Sequence, residues 1–309
     1  MKAILSAVVF TVVMAVSAGA QQPVQAGIPA HLVVTVEPHK GHEVPAVSKE
    51  DVLVFEGHDR DTVTDWVPAQ GDRAALELFI LIDDASGTSI GNQLEDLRKF
   101  INGQPDSTKI GVAYMQDGTA KVVQNLSSDH DQAAKALRLP MGTAGANASP
   151  YFSLSDLVKR WPASDARHEV FMVTDGIDRY YGSGDLQDPY LAAAIDDAAR
   201  AGIMVSAIYN PDAGHFGHSR YQTYWGQTYL SELSEKTGGE MYYFGMNGPP
   251  VAFAPYLEDF SNRLTHQYFL TFLAKPPKKA GFVPVRLKSE VPNVDLVSAG
   301  QVYVSPEGR

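Results

Sequence analysis

With 309 residues the chain is long enough for roughly two domains, and its 44% hydrophobic and 20% charged residues suit a soluble globular protein, not a disordered or fibrous one. Asp and Glu number 36 against 25 Lys and Arg, a formal net charge of -11 that repels nucleic acid and anionic membrane surfaces. There are no cysteines, which excludes disulfides, thiolate nucleophiles and zinc–thiolate or iron–sulfur sites.

Residues 1–20 read as a signal peptide: Lys2 supplies a positive start, residues 4–16 an apolar stretch, and Ala18-Gly19-Ala20 a small-residue cleavage site. No later run approaches the ~18 consecutive apolar residues of a membrane span. The expectation is an exported protein, periplasmic or secreted, with no integral membrane span.

Residues 21–72 form an N-terminal β segment, with short strands expected over 32–36, 52–55 and 62–67. Two or three strands cannot bury much apolar surface alone, so the segment needs a partner. From residue 73 to 266 strands alternate with helices, the signature of a mostly parallel sheet covered by helices on both faces. The run 78–82 is apolar throughout and reads as a strand buried on both sides. A helix over 90–101 follows, with Leu94, Leu97 and Ile101 on one face, then a hairpin of strands 109–115 and 121–124 turning at Asp117-Gly118. That hairpin implies one antiparallel edge strand.

Further along come a helix over 129–137, a loop of small residues at 141–148, and a helix that Ser149 caps and Pro150 starts. A second buried strand, 170–174, leads into a polar loop carrying Asp178, Tyr180 and Tyr181. A helix over 189–201, a strand over 203–209 and a long loop over 210–224 with His215 and His218 follow. The domain closes with a helix over 229–236, a strand over 240–244 and a helix over 253–264. The tail, 267–309, returns to short β strands. It is the natural partner of the N-terminal segment, giving one β-sandwich-like module made from both ends with the α/β domain inserted between them.

Chemistry concentrates where the two buried strands end. Asp83 and Asp84 close the first, and Ser86, Thr88 and Ser89 follow within five residues; Thr174-Asp175-Gly176 closes the second. In an open α/β sheet ligands bind at the carboxyl ends of the strands. Carboxylates and hydroxyls gathered there suit a hard cation, since Mg²⁺, Mn²⁺ and Ca²⁺ prefer oxygen ligands. Asp83 reads equally as the cap of a neighbouring turn. Two competing readings are weaker. Gly87-Thr88-Ser89-Ile90-Gly91 matches the G-x-S-x-G nucleophile elbow, and Ser89, Asp175 and His266 run in the chain order of an α/β-hydrolase, but Ser89 stands too far from the strand and Ile90 is bulky for so tight a turn. His215 and His218 lack a third metal ligand.

The pattern Asp84-x-Ser86-x-Thr88, a hydroxyl at a helix start near Ser149, and Thr174-Asp175-Gly176 resemble the metal-ion-dependent adhesion site of the von Willebrand factor type A (VWFA) fold. With VTVEP and SKEDVLVFEG near the start and the β tail, nearly the whole mature chain resembles the exported VWFA-related family of acidobacterial type. The resemblance implies a Rossmann-like α/β fold and a non-enzymatic protein-binding or adhesion module. Its metal, Mg²⁺ or else Mn²⁺ or Ca²⁺, would be held directly by Ser86 and Thr88 and through water by Asp84 and Asp175. Ser149 is the second-loop ligand by its place at a helix start, with Thr143 and Ser153 as competitors. The implied partner is a protein that donates an Asp or Glu carboxylate to the cation.

Overall fold

The computed structural model describes residues 27–39, 43–142, 145–182, 188–211, 219–245, 248 and 250–306. The expected signal peptide, Thr143, His215 and His218 lie outside them. In chain order the N-terminal segment contributes β1 (Ile28–Pro38), β2 (Val52–Glu56) and β3 (Asp59–Pro68). The α/β part runs β4 (Leu76–Asp83), α1 (Gly91–Asn102), β5 (Thr108–Gln116), β6 (Thr119–Ser127), α2 (His130–Lys135) and α3 (Pro150–Lys159). It continues through β7 (Arg167–Thr174), α4 (Pro189–Ala201), β8 (Ile203–Tyr209), α5 (Arg220–Thr237), β9 (Met241–Tyr242) and α6 (Ala254–Thr265). The tail adds β10 (Gln267–Ala274), β11 (Gly281–Pro284), β12 (Arg286–Ser289), β13 (Val294–Ser298) and β14 (Gln301–Val304).

The central sheet has the order β6-β5-β4-β7-β8-β9, and all pairs are parallel except β5–β6. Every residue of β4 is buried, because helices cover both sides of it. Phe79 and Leu81 pack with Leu154, Leu191 and Leu233 on one face, while Leu78, Ile80 and Ile82 pack with Leu97, Phe100 and Phe260 on the other. The mostly parallel sheet with one antiparallel edge strand is the fold class the sequence leads to.

The two ends of the chain interleave in a second, antiparallel sheet of order β12-β2-β3-β10-β1-β13. Ile28 faces Ala274 and Val34 faces Tyr268 across β1 and β10, while Val34 to Pro38 pair with β13 on the other side. Val34, Val36, Leu270 and Phe272 share one core with Val302 and Val304 of a separate β11–β14 ribbon, which supplies the second layer. Neither segment closes this core alone.

Three elements differ from expectation. The loop expected over 210–224 gives way to α5 at Arg220, so Tyr221, Tyr224 and Trp225 are helical. Ser219 caps that helix, its hydroxyl accepting from Gln222 N while the Gln222 side chain accepts from Ser219 N, and this reciprocal cap outweighs the weak apolar periodicity that follows. The strand expected over 240–244 shrinks to Met241–Tyr242, ended by Tyr243 at φ +63. A 3-10 turn, Thr88–Ile90, precedes α1. Among the described residues no helix is long and apolar enough to cross a membrane.

Candidate functional site

β4 and β7 run parallel in a register that sets Ile82 against Val173, so their terminal acids emerge at the same edge of the sheet. Asp83, the last residue of β4, is buried; its Oδ1 accepts from Ala85 N at 3.0 Å and its Oδ2 from Thr174 Oγ1 at 2.8 Å. It therefore both caps the following turn and ties β4 to β7. Burial, then the charge of Asp175, push its carboxyl up to about 6.

Asp84 is engaged on the β5 side. Its Oδ1 accepts from Arg138 Nη1 (2.7 Å) and Met141 N (2.9 Å), and its Oδ2 from Arg138 Nη2 (3.0 Å) and Gln116 Nε2 (2.5 Å). Burial raises this carboxyl, but the hydrogen bonds from Arg138 and Gln116 outweigh it and hold the group below its ordinary value. Arg138 is itself fixed by Tyr114. Its guanidinium lies 3.9 Å from the ring centroid, its N–H donates to the Tyr114 hydroxyl at 2.7 Å, and that hydroxyl donates to its carbonyl at 2.8 Å.

Asp175 follows β7 in a turn that Gly176 permits at φ +69. Its Oδ1 accepts from Ile177 N (3.0 Å) and Arg179 Nη1 (3.3 Å), and its Oδ2 forms a short ion pair with Arg179 Nη2. Burial works against the charge of Arg179, but Asp175, Asp83 and Asp178 together raise its pKa. Asp178, a loop residue in the sequence, organises the neighbourhood: its Oδ1 accepts from Tyr180 N and Tyr181 N at 2.9 Å, and its Oδ2 from Ser149 Oγ at 2.7 Å.

Ser149 is the N-cap of α3, as expected, and its hydroxyl also accepts from Phe152 N at 3.3 Å. Its competitor Ser153 donates to Ser149 O at 3.2 Å, a bond within the helix. Ser86 is buried and accepts from Asn210 Nδ2 at 3.3 Å, whereas Thr88 is exposed at the start of the 3-10 turn. The structure thus groups Ser149, Asp175 and Asp83 around Asp178 and Arg179. Asp84 is clamped by Arg138, Ser86 bonds to the residue after β8, and Thr88 stands at the surface. The two arginines and Asp178 were not singled out as functional in the sequence.

As folded, this donor set does not fit a divalent cation. Both oxygens of Asp84 and both of Asp175 receive donors, and neither carboxylate lines the nearby cavity of about 10 Å³ among Asp83, Ser149, Ser153 and Arg179. That is room for about one water, while Mg²⁺ keeps several. Among the described residues no three His, Asp or Glu side chains are arranged to hold a metal ion.

The hydrolase triad does not assemble either. His266 precedes Gln267, which bonds to Arg167 at the start of β7, and its Nδ1 lies 2.7 Å from Asn262 O. Asp175 follows the other end of that 8-residue strand, roughly 25 Å away at ~3.3 Å per residue.

No family model and no curated protein matches the sequence. Among solved structures the chain is similar to the conserved hypothetical protein BatB from Bacteroides thetaiotaomicron, at 13% identity and a TM-score of 0.46, covering 62% of this chain and 98% of that one. An aerotolerance-related membrane protein from Bacteroides fragilis matches at 15% identity and a TM-score of 0.43, with the same 62% and 98% coverage. The ArnB paralog VWA2 from Sulfolobus acidocaldarius matches at 9% identity and a TM-score of 0.39, covering 90% of this chain and 77% of that one. The chain's own topology, one antiparallel edge strand on a parallel sheet with buried acids after β4 and β7, is the VWFA-like arrangement that the sequence resemblance implies.

Proposed function

We propose that this chain is an exported, non-enzymatic protein-binding module of the VWFA type, and that it meets its partner with the loops above the carboxyl ends of β4, β7 and β8. The observation that carries this reading is the pairing of a rigid, charge-matched floor with an exposed aromatic surface. Tyr180 and Tyr181 project from the loop after β7 and pack against Tyr190 at 5.7 and 5.8 Å between ring centroids. Tyr221 and Tyr224 are exposed on the first turns of α5 and pack edge-on against Trp225. Exposed, partly braced aromatics are the residues that protein interfaces favour, because they give large contact area at small entropic cost.

The expected partner chemistry, a carboxylate that completes the shell of Mg²⁺, Mn²⁺ or Ca²⁺, requires an open cation position. The closed acid–arginine cluster supports recognition by the loops instead. The test is affinity capture from envelope extract with the wild type, Tyr180→Asp and Tyr224→Asp, each with and without EDTA. A specific partner lost with either aspartate variant and retained in EDTA is the expected result. Capture that survives both variants would move the interface elsewhere, and capture abolished by EDTA would restore the metal-bridged mechanism.

A further inference from the structure

We infer that the chain carries a second binding site, for a small carboxylate with an apolar body, in a slot between the terminal β sheet and the amino-terminal ends of β7 and β8. The slot lies at the end of the central sheet opposite the aromatic loops. It does not depend on the protein-binding reading.

The slot follows from the alternation of β10. Leu270 and Phe272 point into the β core, so Gln267, Phe269 and Thr271 share the face turned toward the α/β domain. Gln267 closes one end, bonded to Glu169 and Arg167 and 3.7 Å from Met204 Sδ. Beyond it the two layers part. A cavity of about 530 Å³ opens, with Val33 and Phe269, paired directly across β1 and β10, on one wall and the first residues of β8, Ile203 and Met204, on the other. Gly202 lines it too, and a Cβ added there would meet nothing within 4 Å. Cavities of roughly 300–1,000 Å³ at a boundary between modules, apolar with a few polar groups, are the usual form of a small-molecule site.

The polar groups of the lining select the charge of the ligand. Arg73 and Arg167 supply two cations against one carboxylate, Asp165, in a chain whose net charge is -11. Arg73 is exposed at the rim, and among the described residues its guanidinium has no hydrogen bond or ion pair. Arg167 is fixed by donating to Leu264 O, Gln267 Oε1 and Ala74 O, while its Nε is buried with no partner. Burial, against the charge of Glu169, lowers the pKa of Arg167 below its ordinary value, so a nearby anion stabilises its charged form. The two histidines of the lining are already engaged. His31 Nδ1 lies 3.1 Å from Thr271 Oγ1 and His168 Nε2 lies 3.0 Å from Ser164 Oγ, and burial, against the charge of Glu77, holds His168 below its ordinary value. Apolar walls below a free guanidinium favour a ligand with a carboxylate at one end, whose two oxygens match the fork of arginine.

The experiment is calorimetric titration of the full chain at neutral pH with decanoate, 2-naphthoate, 1-decanol and decyltrimethylammonium, repeated with Arg73→Gln and Val33→Trp. At least one of the two carboxylates is expected to bind saturably at about one per chain, with the alcohol about tenfold weaker and the ammonium not binding. Arg73→Gln should weaken the carboxylate about tenfold, the loss of one charge-assisted hydrogen bond. Val33→Trp, which fills the slot, should abolish binding. If Val33→Trp does not fold, hydrogen exchange of the wild type locates the site instead: bound carboxylate should slow exchange at residues 164–166 and leave Tyr180 and Tyr181 unchanged. The inference is overturned if neither carboxylate binds saturably, if the alcohol binds as tightly, if either folded variant binds like the wild type, or if the protection falls outside the slot. None of these outcomes touches the protein-binding reading, which stands or falls on the tyrosine variants.

Discussion

Gln267 donates from Nε2 to Glu169 Oε1 at 2.5 Å, joining the first residue of β10 to the interior of β7 across the seam between the two modules. Arg167 completes the junction, its guanidinium donating to Gln267 Oε1 and to Leu264 O, the latter at 2.9 Å. Burial pushes the Glu169 carboxyl up to about 7, against the hydrogen bond from Gln267 and the charges of Arg167 and Arg263.

A pH dependence follows from that shift. The folded chain holds the Glu169 proton up to about 7 while the ordinary value is 4.5, so the folded state binds more protons in that window. Stability is therefore fully present below about 4.5 and is lost as pH rises toward 7, by at most ~1.4 kcal/mol per pH unit from this group. Asp83, raised to about 6, adds a slope of the same sign. Urea unfolding at pH 5, 6, 7 and 8 should show Glu169→Gln with a shallower decline than the wild type. Parallel curves would mean that Glu169 does not titrate in this way.

Gly226 lets α5 approach the turn that carries Asp175. A Cβ there would stand 2.1 Å from Asp175 O, backbone against backbone, so α5 can lie this close to the site only without a side chain. Gly226→Ala should cost about 1–3 kcal/mol as an overpacking change. Gly202 has φ +65 but nothing within 4 Å, so Gly202→Ala meets only the left-handed strain of ~1–2 kcal/mol. Binding of the Tyr-dependent partner should weaken in the first variant and not in the second.

No serine hydrolase activity is expected, because Asp175 and His266 lie at opposite ends of β7. A fluorophosphonate probe should label the chain no more than its denatured control. Stoichiometric labelling that disappears in Ser89→Ala would reopen the enzymatic reading.

The shared sheet gives a fourth test. Leu270 is 1% exposed and Val34 fully buried in one core, so Leu270→Ala should cost about 2–5 kcal/mol. Truncation after Leu264 removes both neighbours of β1, which are β10 and β13. Hydrogen exchange should then find the amides of β1 unprotected, and retained protection would contradict the pairing.

Much of this was readable from residue pattern. The apolar run of β4 showed a strand covered on both faces, and the two terminal β segments pointed to each other because neither could bury its own surface. The acids at the strand ends were legible for the same local reason. Their partners were not. Arg138 reaches Asp84 from 54 residues away, a contact made by the path of the chain and not by its periodicity. The start of α5 was hidden because its signal lies in the Ser219–Gln222 cap, while aromatic residues and Gly226 blur the helical pattern behind it. Asp83 showed as a turn cap, but its bond to Thr174 depends on β4 and β7 being neighbours, which sequence order does not reveal.

The pairing of Ile28 with Ala274 also sets a timetable for biosynthesis. Roughly 240 residues separate the two strands, so at ~5–20 residues per second β10 leaves the ribosome about 12–50 s after β1. During that interval β1, β2 and β3 have open edges, the kind of surface that pairs with other chains. The α/β domain, whose strands and helices are all made before β10, can fold as a unit first and present Arg167 and Glu169 as a finished surface. Gln267 is then the first tail residue to dock on it, and the sheet that joins the two ends of the chain closes last.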